Sequence, residues 1–91
     1  MNPVKLNIID DFDSLLNKGD AITVVGIHSE TKEKIIQLII CCPNCGQKSS
    51  SRGNHIYNKE TKTYTPSIIH DTKYGGCGWH GWLTNGEFKD C

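Results

Sequence analysis

The sequence predicts a small α+β domain: a short N-terminal helix, a β-hairpin, and a metal-stapled β module that ends in a second hairpin. Three observations carry this. Cys42-Pro43-Asn44-Cys45-Gly46 is matched near the other end by Cys77-Gly78-Trp79-His80-Gly81, and two ligand pairs with this spacing complete one tetrahedral site. Two runs rich in β-branched residues lead into the first pair, the pattern of paired strands. Asn85-Gly86 is the preferred dipeptide of a two-residue type I′ hairpin.

The elements follow in order. Val4, Leu6, Ile8 and Ile9 form a short apolar-leaning lead, read as an edge strand. Over residues 10–18, Phe12, Leu15 and Leu16 stand at i, i+3 and i+4, which predicts one apolar helix face. Asp10 and Asp11 suit the positive end of its dipole, and Lys18-Gly19 suits its stop. Residues 21–28 and 35–40 make the hairpin, and their near-continuous apolar character predicts burial on both faces. Residues 47–55 read as a polar loop. Ile56-Tyr57-Asn58 starts a strand, and residues 63–69 contain another, interrupted at Pro66, which belongs at an edge or bulge because it cannot donate to a ladder. The last hairpin then pairs Thr84 with Glu87, Leu83 with Phe88, Trp82 with Lys89 and His80 with Cys91.

Ninety-one residues make one domain, 1–91, divided into the helix plus hairpin (1–40) and the metal module (41–91). So short a chain buries a modest fraction of its surface and needs a staple. Ten basic and ten acidic residues give no net charge, which removes the simplest argument for nucleic-acid binding. No run reaches transmembrane length and the N-terminus lacks a signal-peptide pattern, so a soluble, cytoplasmic protein is expected. In that compartment five cysteines read as metal ligands before disulfides.

The expected ligands are Cys42, Cys45, Cys77 and His80, with structural zinc as cofactor and Cys91 as the competing fourth ligand through the hairpin register. His28, His55 and His70 are read as surface or satisfied core residues before ligands. A redox reading of Cys42-Pro-Asn-Cys45 would need a helix after the first cysteine, where Gly46 and a Ser-rich loop stand instead. His28-Ser29-Glu30 matches the H-x-E of zinc deaminases only by chance, since the P-C-x-x-C order is missing. Trp79 and Trp82 are read as a small core shielding the ion. Four protein ligands leave no open position for water, and no Ser/His/Asp arrangement, phosphate loop or carboxylate pair stands out. The expectation is therefore a chain that is not an enzyme and has no catalytic residues. Lys48, Arg52, Tyr57, Lys59, Lys62 and Tyr64 mix basic and aromatic residues and supply the alternative reading, a nucleic-acid-binding ribbon.

Cys42-Pro-x-Cys45, Tyr57-Asn58, Tyr64-Thr65-Pro66-Ser67-Ile68, Cys77-x-x-His80, Asn85-Gly86 and Asp90-Cys91 together resemble a family of small zinc-ribbon-like phage and prophage proteins. These are often labelled "ammonia monooxygenase" and are related to the DUF6527 group. The resemblance covers about residues 40–91. It implies a zinc-binding, β-rich phage protein with no established activity, cytoplasmic in the host, and the function expected here is that of a protein-interaction module. The partner by analogy is a host protein, such as a defence or transcription component. The monooxygenase label fails on chemistry, which needs a redox metal and usually a membrane enzyme.

Overall fold

The computed structural model describes residues 2–15, 17–50 and 53–91. It is built from nine strands: β1 (Val4–Lys5), β2 (Asn7–Ile8), β3 (Asp20–Ile27), β4 (Lys34–Cys41), β5 (Lys48–Ser50), β6 (Ile56–Asn58), β7 (Thr63–Ile69), β8 (His80–Thr84) and β9 (Glu87–Asp90). One sheet runs β2-β3-β4-β5 and the other β1-β9-β8-β7-β6. The N-terminal lead thus splits between the two sheets. β1 pairs antiparallel with β9, and β2 pairs parallel with β3.

The α+β expectation is corrected to an all-β fold, because the N-terminal helix does not form. Its place holds a single 3-10 turn, Phe12–Ser14, capped by Asp11, whose carboxylate accepts from the Ser14 amide and hydroxyl. Leu15 is buried and Phe12 is about half exposed, with the Lys48 ammonium 4.6 Å from its ring centre. Leu16, the third residue of the proposed apolar face, lies outside the described residues. A one-residue anchor does not offset the cost of nucleating a helix. The chain turns instead at Asn17, whose amide donates to the Asp20 carboxylate.

The β3–β4 hairpin forms as the sequence indicates, in register Ala21↔Ile40 through Ile27↔Lys34. Its burial is one-sided at the distal end, where Val25 and Ile27 are exposed. His28 organises the connecting turn, its Nδ1 accepting from the amides of Glu30 and Thr31. Residues 48–50, read as loop, add β5 to the sheet, with Ser49 opposite Ile40. The final hairpin has the expected register, with Thr84↔Glu87, Leu83↔Phe88 and Trp82↔Lys89. Asn85 and Gly86 both have positive φ, as a type I′ turn requires.

The core lies between the sheets. Ala21, Leu38 and Ile40 face Tyr57, Tyr64, Trp79, Leu83 and Phe88. Trp79 packs edge-on to Phe88 with ring centres 6.3 Å apart, and its Nε1 donates to Asp90. It also covers Gly81, where any Cβ would strike the Trp79 ring and the Lys89 carbonyl. The Tyr64 hydroxyl accepts from the Leu38 amide at 3.0 Å and ties one sheet to the other. Tyr64→Phe leaves that buried amide without its acceptor, and chemical denaturation is expected to show a loss of about 1–3 kcal/mol.

Candidate functional site

Four ligand atoms, from Cys42, Cys45, His70 and Cys77, lie within 4.8 Å of one another. Cys42 follows the end of β4, and Cys45 sits on a tight knuckle in which the Gly46 amide donates to the Cys42 carbonyl. Gly46 has φ of 81°, a conformation that favours glycine. His70 follows β7 directly. The loop after it returns because the Gly78 amide donates to the His70 carbonyl and the His70 amide to the Trp79 carbonyl. Cys77 is thereby brought back beside His70.

Three of the ligand–ligand distances fit a tetrahedral ion. Cys42 Sγ and Cys77 Sγ are 3.7 Å apart, and His70 Nδ1 is 3.4 Å from both Cys45 Sγ and Cys77 Sγ. Metal–sulfur bonds of about 2.3 Å and a metal–nitrogen bond of about 2.0 Å in a tetrahedron imply S···S of about 3.8 Å and S···N of about 3.5 Å. Burial first pushes the Cys42 thiol up, and despite the Cys45 and Asn44 amides it stands at about 11. For Cys77 the burial effect is outweighed by hydrogen bonds from the Asn44 side chain and the Trp79 amide and by His70 and Cys42, which bring it down to about 6. Of the two thiols, Cys77 is the one that deprotonates more readily.

Three of the four expected ligands are in this cluster. The imidazole is supplied by His70, while Cys91 and His80 stand outside it. The sequence offered only a weak signal for His70, which is seven residues before Cys77 rather than at knuckle spacing.

His80 stands elsewhere, with its Nε2 3.1 Å from Ser67 Oγ. Ile69 pairs directly with His80 across β7 and β8, so Ser67 is a diagonal neighbour on the same face. That face is the open side of the five-stranded sheet, where Ile69 and Trp82 are both exposed. Trp79 meets the expectation of a shielding core residue; Trp82 does not. The backbone under the pair is held from both sides. The Cys91 amide donates to the His80 carbonyl, and His55 Nε2 donates to the Ser67 carbonyl at 2.9 Å. A carbonyl only accepts, so His55 carries its proton on Nε2. Its ring lies against Tyr64 at 5.2 Å. A serine hydroxyl in hydrogen-bond reach of an imidazole is the arrangement of an activated nucleophile. Beside it opens a cavity of about 480 Å³ between β5 and β7, bordered by Ser67, His55, His70 and Ser49.

The alternative nucleic-acid surface is not assembled. Tyr57 and Tyr64 are buried in the core and cannot stack on bases. Lys48 lies over Phe12, and Arg52 lies outside the described residues. Lys59 and Lys62 are on the β6–β7 turn. Among the described residues no helix is long and apolar enough to cross a membrane.

No curated protein and no solved structure matches the chain. A family model does match, over residues 10–91: the bacterial ubiquitination-like system serine protease, BubE. This overturns the expectation that the chain is not an enzyme. That expectation rested on a closed four-ligand metal site and on the missing Ser/His/Asp pattern, and a serine and a histidine that meet only across two strands, as Ser67 and His80 do, leave no such pattern in sequence. With the match spanning nearly the whole chain, the protein belongs to the BubE family.

Proposed function

We propose that this chain is a serine protease of a bacterial ubiquitin-like conjugation system, with Ser67 as nucleophile and His80 as general base. The observation that carries the reading is the 3.1 Å approach of Ser67 Oγ to His80 Nε2, with Ser67 at the border of the cavity. Ser67 Oγ attacks the scissile carbonyl carbon while its proton passes to His80 Nε2. The same proton then goes to the departing amine, and water releases the acyl group by the reverse sequence. The family description, a protease of a ubiquitination-like system, supports the ubiquitin-like protein of that system as the substrate, cleaved in its tail.

The Cys42, Cys45, His70 and Cys77 set suits zinc, since three thiolates and one imidazole fill a closed structural site. Zinc supplies cross-linking here, joining the β4–β5 turn to the β7–β8 connection. A fluorophosphonate probe tests the nucleophile. It is expected to add one adduct, located on Ser67 by peptide mass spectrometry and absent from Ser67→Ala. An unlabelled chain, or an adduct on another serine, overturns the assignment.

A further inference from the structure

The cavity beside Ser67 is walled by two strand edges whose backbone groups point into it. β5 is the last strand of its sheet. The Cys42 amide donates to the Gln47 carbonyl, so residues 47 and 49 address β4, and by alternation Lys48 and Ser50 turn their amides and carbonyls the other way, into the cavity. On the opposite wall β6 pairs with β7 only as far as Thr65. Beyond it, His70 addresses β8 through its bonds with Trp79 and Gly78, so Ile69 turns its amide and carbonyl away from β8, again into the cavity. The Ser67 carbonyl points the same way and meets His55. The slot thus has Lys48 and Ser50 of β5 on one side and Ile69 of β7 on the other, with Ser67 on the β7 wall.

We propose that this slot takes the substrate as a single extended strand paired to β5 and β7 at once, and so selects a free polypeptide tail. The inference rests on the protease reading and deepens it. Strand addition reads the backbone, so the tail is recognised by its extended conformation more than by its side chains. A slot closed on both sides excludes a strand that already belongs to a folded sheet. The ubiquitin-like substrate would enter by its tail while its folded body stays outside the slot.

N-methyl scanning separates this from simpler modes. The probes are fluorogenic decapeptides copying the tail of the system's ubiquitin-like protein, each with one amide methylated. A strand held on both sides donates alternately to each wall, so methylation at consecutive positions is expected to lower kcat/KM, each by about tenfold for one lost backbone bond. Losses at every second position only, or at none, overturn the two-sided slot. On the enzyme, Ser50→Pro removes one amide that faces the slot while sparing the ladder to β4. It should raise KM for the unmodified decapeptide and leave the rate of fluorophosphonate labelling unchanged. Equal labelling with an unchanged KM counts against the slot alone, whereas absence of labelling in the unaltered chain counts against the protease reading.

Discussion

Removing the metal is expected to abolish proteolysis and to lower the melting temperature sharply, with both restored by added zinc. The reason lies in where the ligands stand along the chain. Ser67 precedes His70 by three residues, and His80 follows Cys77 by three. An ion held by His70 and Cys77 would therefore clamp both ends of the connection that joins β7 to β8. It also ties that connection to Cys42 and Cys45 beyond the other sheet. Structural zinc binds with an apparent free energy of about 10–16 kcal/mol at neutral pH. A chain this small has a total stability of about 5–10 kcal/mol. The metal contribution is as large as the whole, so the stripped chain cannot hold the 67–80 region in register. Hydrogen exchange should show protection lost over β7 and β8 on chelation, and fluorophosphonate labelling of Ser67 should slow with it. Cys45→Ser is expected to act in the same direction by weakening one of four bonds. A metal-free sample, verified by elemental analysis, that keeps its melting temperature and its labelling rate would sink the clamp.

Parts of this arrangement are legible in the sequence because they depend on neighbours. The last hairpin follows from Asn85-Gly86, whose positive φ values admit few other residues. The first knuckle follows from Cys42-Pro-Asn-Cys45-Gly46 for the same local reason. Three other features depend on distant segments and escaped. The periodicity of Phe12, Leu15 and Leu16 resembles a helix face, yet only Leu15 finds a place against the core among the described residues, and the ladder from Asn7 to Asp20 claims the backbone on either side. β5 carries Lys48, Ser49 and Ser50, with no apolar signature, because an edge strand spends its backbone on the neighbour and its side chains largely on solvent. His70 and His80 exchange the roles their spacings suggest. The knuckle grammar assigns the metal to the histidine three residues after Cys77. The actual return of the chain at Gly78 instead points His70 at the sulfurs and leaves His80 to pair with Ile69 beside Ser67.

Ser67→Ala is expected to reduce the cleavage rate by at least about 10⁴-fold, and His80→Ala by about 10²–10⁴-fold, with the melting temperature of both close to that of the parent. The double variant should be no slower than Ser67→Ala, because the base has nothing to activate once the hydroxyl is gone. Neither side chain is buried, so the losses report chemistry rather than packing. Among the described residues Cys77 is a rival nucleophile on electrostatic grounds, with a thiol brought down to about 6 and His70 at 3.4 Å. Its surroundings argue against that role. A catalytic thiolate keeps one imidazole and an open approach, whereas the Cys77 sulfur faces a second thiol at 3.7 Å, a third in the same cluster and the Asn44 amide. That set of neighbours suits a metal ligand rather than a free nucleophile. Iodoacetamide distinguishes the two: the zinc-loaded protein should retain activity after treatment, while fluorophosphonate should remove it. Inactivation of the zinc-loaded chain by iodoacetamide, with Ser67→Ala still active, would transfer the chemistry to the cysteine cluster and leave the Ser67–His80 contact as a cross-strand tie.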